Sequence, residues 1–383
     1  MKRPRNRIFP ASPLQVFAVE TDTLQLAWGN LPAGKVTVTA APAVVTIEHP
    51  GGPGTVELRG LEPGTSYELV IDLRRGHSSE RFELTATTLA KPEGKRLSKF
   101  ATISDLHIGA RSFGALSTMT DIEPGGEPFA HRCARAAIED AIDWGAEFLV
   151  IKGDTVHAQS TENMAELGKI LDDFSELPMM LLPGNHDVDQ RGDLDELPVI
   201  GSRGLRFVED VSTKELPGLR LVGADTTIKG RGVGTLGHVS DKILDEISRD
   251  TPSLVCIHQQ LQRHTTNRYW PPGIPRQESD LFLNRLAAIR PDSFVTSGHT
   301  HRNRVRMHGS VTISEVASTR DWPGVWAGYS VYEGGLTQTV RRISAPTALR
   351  WHEYSRQAVA GLWNLWSPGK LGDRCISRQW KTT

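Results

Sequence analysis

The hydrophobic pattern changes character across the polar, Pro/Gly-bearing stretch Ala90 to Arg96, which reads as a linker. Before it, alternating stretches such as Leu24-Gln25-Leu26-Ala27-Trp28, Lys35 to Thr39 and Ser66 to Leu73 are separated by Pro/Gly turns. That is the period-two pattern of strands with one buried face, and it predicts an all-β sandwich. After the linker, short unbroken apolar runs alternate with helical periods. Phe100 to Ile103, Phe148 to Ile151, Met179 to Leu182, Leu254 to Ile257 and Ser293 to Thr296 read as buried strands. Pro128 to Trp144 places Phe129, Cys133, Ala136, Ala137, Ala141 and Trp144 on roughly one helical face. Thr161 to Phe174, Ser240 to Ile247 and Ser279 to Ile289 predict further helices, with Ser240 and Ser279 as N-caps. Two hairpins follow, Arg304–Met307 with Val311–Val316 and Tyr329–Tyr332 with Leu336–Val340. From Ala345 onward, Trp351, Tyr354, Ala358, Leu362 and Trp366 have the spacing of one helix face, so a helical tail docked on the sheet is expected.

Composition narrows the classes. A chain of 383 residues has room for two domains. The formal net charge of −1 offers no basic field for nucleic acid or an anionic membrane. Met1 to Arg7 is basic, but no apolar core of a signal peptide follows, and no run reaches the ~18 apolar residues of a membrane span. Cys133, Cys256 and Cys375 are odd in number and far apart, which fits a reducing compartment. A cytoplasmic location is expected.

The chemistry is concentrated just past the five buried runs. Asp105-Leu106-His107, Gly153-Asp154, Gly184-Asn185-His186-Asp187, His258 and Gly298-His299-Thr300-His301 each follow one of them. Ligands of open α/β sheets collect at the carboxyl ends of strands, so residues far apart in sequence can meet there. Asp, His and Asn without Cys suit borderline to hard divalent cations and hydrolysis. Asp105 and His107, joined by His301, would hold a first metal. Asn185, His258 and His299 would hold a second, with Asp154 between the two. The glycines before Asp154, Asn185 and His299 are expected to supply the unusual φ of a sharp strand-to-loop turn.

The order Asp-x-His, Gly-Asp, Gly-Asn-His-Asp, His, Gly-His-x-His, covering about Lys99 to Arg342, resembles the calcineurin-like metallophosphoesterase superfamily. The resemblance implies a four-layer α/β/β/α sandwich and two divalent metal ions, commonly Mn, Fe or Zn. It implies Asp105, His107, Asp154 and His301 on one metal and Asp154, Asn185, His258 and His299 on the other. It makes His186 a non-ligand that contacts the phosphate or protonates the leaving oxygen, with Asp187 orienting it. Protein phosphatases of this layout carry an Arg shortly after the second block and a Glu after the Asn-His. Here Thr155-Val156-His157-Ala158 and Asp187 stand instead. The blocks are closer in form to cyclic-nucleotide phosphodiesterases and to repair nucleases, and the charge balance argues against DNA. The expected activity is hydrolysis of small phosphodiesters by attack of a metal-bridging hydroxide. A phosphomonoesterase or nuclease is the alternative, and a non-catalytic metal-bound scaffold is a third.

Leu61-Glu62-Pro63-Gly64-Thr65-Ser66-Tyr67-Glu68-Leu69 resembles the tyrosine corner of fibronectin type III domains, with Trp28 as the core tryptophan. The expected division is a fibronectin-like sandwich over 11–90, the metallophosphoesterase domain over 97–344 and the helical tail over 345–383. The partner expected is a small phosphoester substrate, and a homo-oligomer is compatible with the chain. His264 to Pro275, with Tyr269 and Trp270, is a candidate wall of the pocket. His157 and Arg111 read as loop residues, and Arg302, Arg304 and Arg306 as one solvated strand face.

Overall fold

The structure, a computed structural model, describes residues 11–114, 117–123, 125–248, 250–264 and 271–380. Its first seven strands are β1 (Gln15–Val19), β2 (Thr23–Leu31), β3 (Gly34–Ala40), β4 (Ala43–His49), β5 (Gly52–Arg59), β6 (Ser66–Arg75) and β7 (Ser78–Thr87). They form two antiparallel sheets, ordered β1-β2-β5 and β4-β3-β6-β7. Alternate residues of both sheets, among them Leu24, Leu26, Trp28, Val36, Val38, Leu69 and Ile71, meet in one apolar cluster. The Tyr67 hydroxyl accepts the Glu62 N–H at 2.8 Å and so braces the turn into β6.

The rest of the chain continues with β8 (Arg96–Ile103), β9 (Ser112–Phe113), β10 (Met119–Thr120), α1 (Phe129–Trp144), β11 (Leu149–Lys152), α2 (Thr161–Asp172) and β12 (Met179–Leu182). Then come β13 (Val211–Leu216), β14 (Leu219–Ala224), α3 (Ser240–Asp245), β15 (Ser253–Cys256), α4 (Arg276–Ile289), β16 (Phe294–Ser297), β17 (Arg304–His308) and β18 (Val311–Glu315). The last elements are β19 (Val325–Tyr332), β20 (Gly335–Arg342), α5 (Pro346–Ser355), α6 (Leu362–Trp366), α7 (Leu371–Arg374) and β21 (Cys375–Gln379). One six-stranded sheet runs β12-β11-β8-β19-β20-β21, the other β13-β14-β15-β16-β18-β17. In the first, β12, β11 and β8 are parallel; in the second, β14, β15, β16 and β18 are parallel.

Because side chains alternate along a strand, each sheet serves two cores. Phe100, Val150 and Leu182 of one sheet share a cluster with Leu221, Leu254 and Phe294 of the other. The opposite faces are covered by helices: Ile103, Leu149 and Ile151 pack with α1 and α2, and Val222, Val255 and Val295 pack with α3 and α4. Two-sided burial explains why these strands read as unbroken apolar runs. The carboxyl ends of β8, β11, β12, β15 and β16 are thereby presented together.

The N-terminal strands are not a loosely tethered module. Their apolar cluster is continuous with the one between the two large sheets. Gln25 pairs with the backbone of Arg342 through both ends of its amide, at 2.9 Å each. Arg341 pairs with Glu20 and Glu57, and Glu353 of α5 pairs with Arg342 at 2.9 Å and accepts from Ser12 at 2.6 Å. The stretch expected as a linker is itself docked, with Lys95 N–H donating to Glu333 at 2.9 Å.

Some sequence expectations fail. Ser279 does not cap α4; the helix starts at Arg276, one turn earlier, and the buried Ser279 hydroxyl donates to the Ile274 carbonyl. Ser240 is the first residue of α3 rather than its cap, and no side chain caps that helix. The C-terminal segment is not a helical tail. It breaks at Val359 and Ala360, both at φ 52°, leaves Leu362 of α6 exposed, and returns as β21 to pair antiparallel with β20. Among the described residues, no helix is long and apolar enough to cross a membrane.

Candidate metal centre

Five of the seven candidate ligands have left-handed backbones: Asp105 (φ 57°), His107 (47°), Asp154 (48°), His299 (66°) and His301 (50°). Such a conformation costs about 1–3 kcal/mol for a non-glycine residue and persists only where its surroundings impose it. Here it turns each side chain back toward the crevice as its strand ends. Of the glycines expected to supply that φ, only Gly153 does, at 84°. Gly184 and Gly298 serve close approach instead. A Cβ on Gly184 would stand 2.4 Å from Asp154 Oδ1, and one on Gly298 would stand 2.8 Å from Asp105 Oδ2.

Donor atoms of Asp105, His107 and His301 lie within 4.8 Å of one another, as do those of Asp154, His258 and His299. Asp154 faces both groups: Oδ2 is 3.6 Å from His107 Nε2, and Oδ1 is 3.3 Å from His258 Nε2. Asn185 Oδ1 is 3.2 Å from the same His258 nitrogen. All seven are therefore brought together, and all but His301 and Asn185 are buried.

The outer contacts fix which nitrogen faces inward. His258 Nδ1–H donates to the Lys152 carbonyl at 2.6 Å, His301 Nδ1–H to Asp321 at 2.8 Å, and His299 Nε2–H to the Pro272 carbonyl at 3.1 Å. The inward nitrogen of His258 then faces Asp154 and that of His301 faces Asp105, at 3.3 Å each. His107 has both ring nitrogens buried without a hydrogen-bond partner. Burial alone would lower the pKa of His258, but Asp154 outweighs it and raises the value to about 9. In the same way Asp321 and Asp105 outweigh burial at His301 and raise it to about 10. Burial alone would raise the Asp105 and Asp154 carboxyls; instead His301 and His258 hold them below the usual carboxylate range. The crevice is thus built for positive charge, and its O and N donors fit divalent cations.

His186 stands beside these groups. Its Nδ1 meets two partners, the His157 carbonyl at 2.9 Å, which can only accept, and Arg191 Nη2 at 2.8 Å, which can only donate, and Nε2 is left for the crevice. Its ring meets His107 edge-on at 4.6 Å and stacks on His157 at 5.5 Å. Asp187 does not orient it. The buried Asp187 carboxylate accepts from Thr155 N–H, Thr155 Oγ1, Val156 N–H and Gly184 N–H, at 2.7 to 3.2 Å. Those four bonds consume its acceptors and tie the loop after β11 to the loop after β12. Burial and the nearby Asp154 raise its pKa to about 6.

Sequence reasoning missed Asp321 and Arg320, which lie in the irregular loop between β18 and β19 and belong to no block. It also set His157 aside as a loop residue, whereas its donor atoms join those of His107 and His186 within 4.8 Å. Tyr269 and Trp270, the candidate pocket wall, lie outside the described residues. A cavity of about 560 Å³ opens next to the centre rather than over it. It shares Gln159 and Val188 with the loops of the second and third blocks, and is also lined by Asp195, Glu196, Arg206, Glu209, Asp225 and Lys229.

The family profile described as calcineurin-like phosphoesterase matches residues 98–303, which takes in every residue from Asp105 to His301 considered above. None of the curated proteins matches the chain. Among solved structures, it is similar to a purple acid phosphatase from yellow lupin (Lupinus luteus) seeds. That match has 13% identity and a TM-score of 0.41, over 87% of this chain and 72% of that one. It is similar to the phosphopantetheinyl hydrolase of Mycobacterium tuberculosis, with 13% identity and a TM-score of 0.36, over 59% of this chain and 91% of that one. A putative 5′-nucleotidase from Staphylococcus aureus matches with 13% identity and a TM-score of 0.39, over 65% of this chain and 54% of that one.

Proposed function

The chain belongs to the calcineurin-like phosphoesterase family of metal-dependent hydrolases, and on that premise we propose that it hydrolyses small phosphodiesters, cyclic nucleotides or diesters of similar size, at a two-metal centre. The observation that carries this reading is Asp154, which turns one carboxylate oxygen to each cluster of donors. In this reading Asp105, His107, Asp154 and His301 hold one cation, and Asp154, Asn185, His258 and His299 the other. When bound, two cations acidify a water and offset charge on phosphoryl oxygens. The remaining work falls to the chain itself. His186 presents Nε2 to the crevice, where it can hold a proton for the departing oxygen. His157 fixes that ring through its carbonyl, and Asp187 fixes the loop that carries it.

The adjoining cavity is in the ordinary size range of a small-molecule site. We assign it to the ester's organic group. Four carboxylates, Asp195, Glu196, Glu209 and Asp225, against two cations, Arg206 and Lys229, disfavour a further phosphate there and suit hydroxyl or amine groups. That supports a small diester over a nucleic-acid strand. We further read the paired large sheets with their helices as a four-layer α/β/β/α sandwich over 97–344. The N-terminal strands, 11–90, we read as a fibronectin type III-like scaffold that buttresses it. Three buried free cysteines suit a reducing, cytoplasmic setting.

The test is a panel on manganese-loaded protein: bis-nitrophenyl phosphate, 3′,5′-cyclic nucleotides, mono-nitrophenyl phosphate and single-stranded DNA. Diester turnover should exceed the others and vanish in Asp154→Ala together with bound metal. Faster monoester or DNA cleavage would replace the diester reading, and undiminished turnover by Asp154→Ala would remove the metal centre from the chemistry.

A further inference from the structure

Arg320 is a nearly fully buried guanidinium with too few partners. It lies at 5% exposure in the loop between β18 and β19. Its backbone is pinned on both sides: its N–H donates to Ser318 Oγ at 3.0 Å, and its carbonyl accepts from Trp351 Nε1 at 2.8 Å. Ser318 Oγ in turn donates to the carbonyl of Asp105 at 3.0 Å, and Thr319 N–H donates to that of Ser104 at 3.0 Å. The loop is thus stitched to the strand end that carries the first block. Phe113 lies under the guanidinium, at 5.1 Å.

Among the described residues, the guanidinium has one carboxylate partner, Asp321, 3.6 Å from Nε. That carboxylate is already committed, with Oδ2 accepting from His301 at 2.8 Å and Oδ1 from Trp363 Nε1 at 2.7 Å. Arg320 Nε is buried with no hydrogen-bond partner. A buried cation left this way is costly unless something anionic completes it.

The position of the charge says where that anion goes. Arg320 shares Asp321 with His301, whose ring centroid lies 5.6 Å from that of His107. It therefore stands on the side of the crevice where His107, His157 and His186 bring their nitrogens within 4.8 Å. Three imidazoles at that distance would ordinarily suggest a further metal. A fixed guanidinium alongside makes a cation unwelcome there and an oxyanion welcome. We propose that Arg320 is a substrate-binding residue, donating its Nη hydrogens to a non-bridging oxygen of the phosphoryl group while His186 faces the leaving oxygen. The planar fork matches a tetrahedral oxyanion, and the pinned loop lets it meet the ester without rearrangement.

This inference rests on the phosphoester reading above, so its test reads anion binding as well as turnover. Arg320→Ala and Arg320→Lys are compared with wild type by calorimetric titration of inorganic phosphate into manganese-loaded protein, by metal content, and by steady-state kinetics on the best ester of the panel. Arg320→Ala should bind phosphate at least about tenfold more weakly, the loss expected for a charged hydrogen-bond pair. Its metal content should be unchanged, and KM should rise by more than kcat falls. Arg320→Lys, which keeps the charge and the fold, should recover part of the phosphate affinity. Unchanged phosphate affinity in both variants would overturn the assignment. So would loss of metal in step with phosphate, which would make Arg320 a support for Asp321 and His301. If wild type binds phosphate through Arg320 yet turns over no ester, the hydrolase reading fails and the anion site stands. If esters turn over with KM unchanged in Arg320→Ala, the reverse holds.

Discussion

The Nδ1–H of His301 donates to Oδ2 of Asp321 across 2.8 Å, and that bond decides what the other nitrogen of His301 can do. With Nδ1 committed, Nε2 is the nitrogen that faces Asp105 Oδ1, at 3.3 Å. Asp321 is itself buried and held by Trp363, so the ring cannot swing away. Removing such an outer partner commonly costs 10–100-fold in metal affinity. Asp321→Ala should weaken one of the two manganese-binding events by about that factor and leave the other near wild type. Competition with a chromophoric chelator would measure both. Equal weakening of the two sites would mean that Asp321 acts on the whole crevice.

His186 predicts the opposite pattern. Its ring touches His107 and His157, and it lies outside both groups that bracket Asp154. His186→Ala should therefore retain both metals while kcat falls by roughly 10²–10⁴, the usual contribution of a positioned general acid. The deficit should shrink for esters whose leaving group departs without a proton, such as nitrophenolate. A parallel loss of metal would make His186 a ligand.

How much was visible beforehand depended on where a residue sits. The seven candidate ligands follow buried strands whose two-sided burial leaves an unmistakable apolar run, so both the strands and their ends could be read. β19 begins at Val325, four residues before the start expected at Tyr329. Arg320 and Asp321 occupy an irregular loop, where no period or motif marks them and only the fold brings them to Asp105. Asp187 failed for a different reason. Its place next to His186 in the chain suggested a partnership, but its carboxylate points to Thr155, Val156 and Gly184 instead. The tail misled because helical spacing cannot register the break at Val359 and Ala360.

That position of Asp187 makes it a structural residue with a measurable signature. Asp187→Ala leaves several buried donors unsatisfied, at about 1–3 kcal/mol each, so unfolding free energy should drop by roughly 3 kcal/mol or more. Metal affinity should fall with it, since Asp154 and Asn185 sit on the two loops it joins. Urea unfolding with and without manganese checks this. A variant of wild-type stability with low kcat would instead restore Asp187 as the orienter of His186.

The joint between the N-terminal strands and the catalytic half is testable through Glu353. It is buried, pairs with Arg342 and Ser12, and lies 3.4 Å from Arg356. Glu353→Ala leaves Arg342 buried without its carboxylate, a loss of about 3–5 kcal/mol where one member of a buried pair is removed. Because the apolar cluster is continuous across the joint, unfolding should remain a single transition at a lower midpoint. Two separated transitions in calorimetry would show that the halves fold independently.

His352 predicts how stability depends on pH. It is fully buried on α5, with Nε2 near Cys133 Sγ and the Thr319 carbonyl, both at 3.2 Å. Burial, reinforced by the Arg342 charge, holds its pKa at about 3, against an ordinary 6.5. An unfolded chain takes up a proton as pH falls through 6.5, while the folded chain does not until about 3. The stability His352 contributes is therefore whole above 6.5 and drains as pH falls toward 3, by up to about 1.4 kcal/mol per unit. Other histidines titrate in the same range, so the informative quantity is the difference between wild type and His352→Gln. Gln can still donate to the Thr319 carbonyl but takes up no proton. Urea unfolding should show wild type losing about 2 kcal/mol more than the variant between pH ~7.5 and ~5. An equal loss in the two proteins would mean that the His352 side chain finds water, or an acceptor, when it is charged.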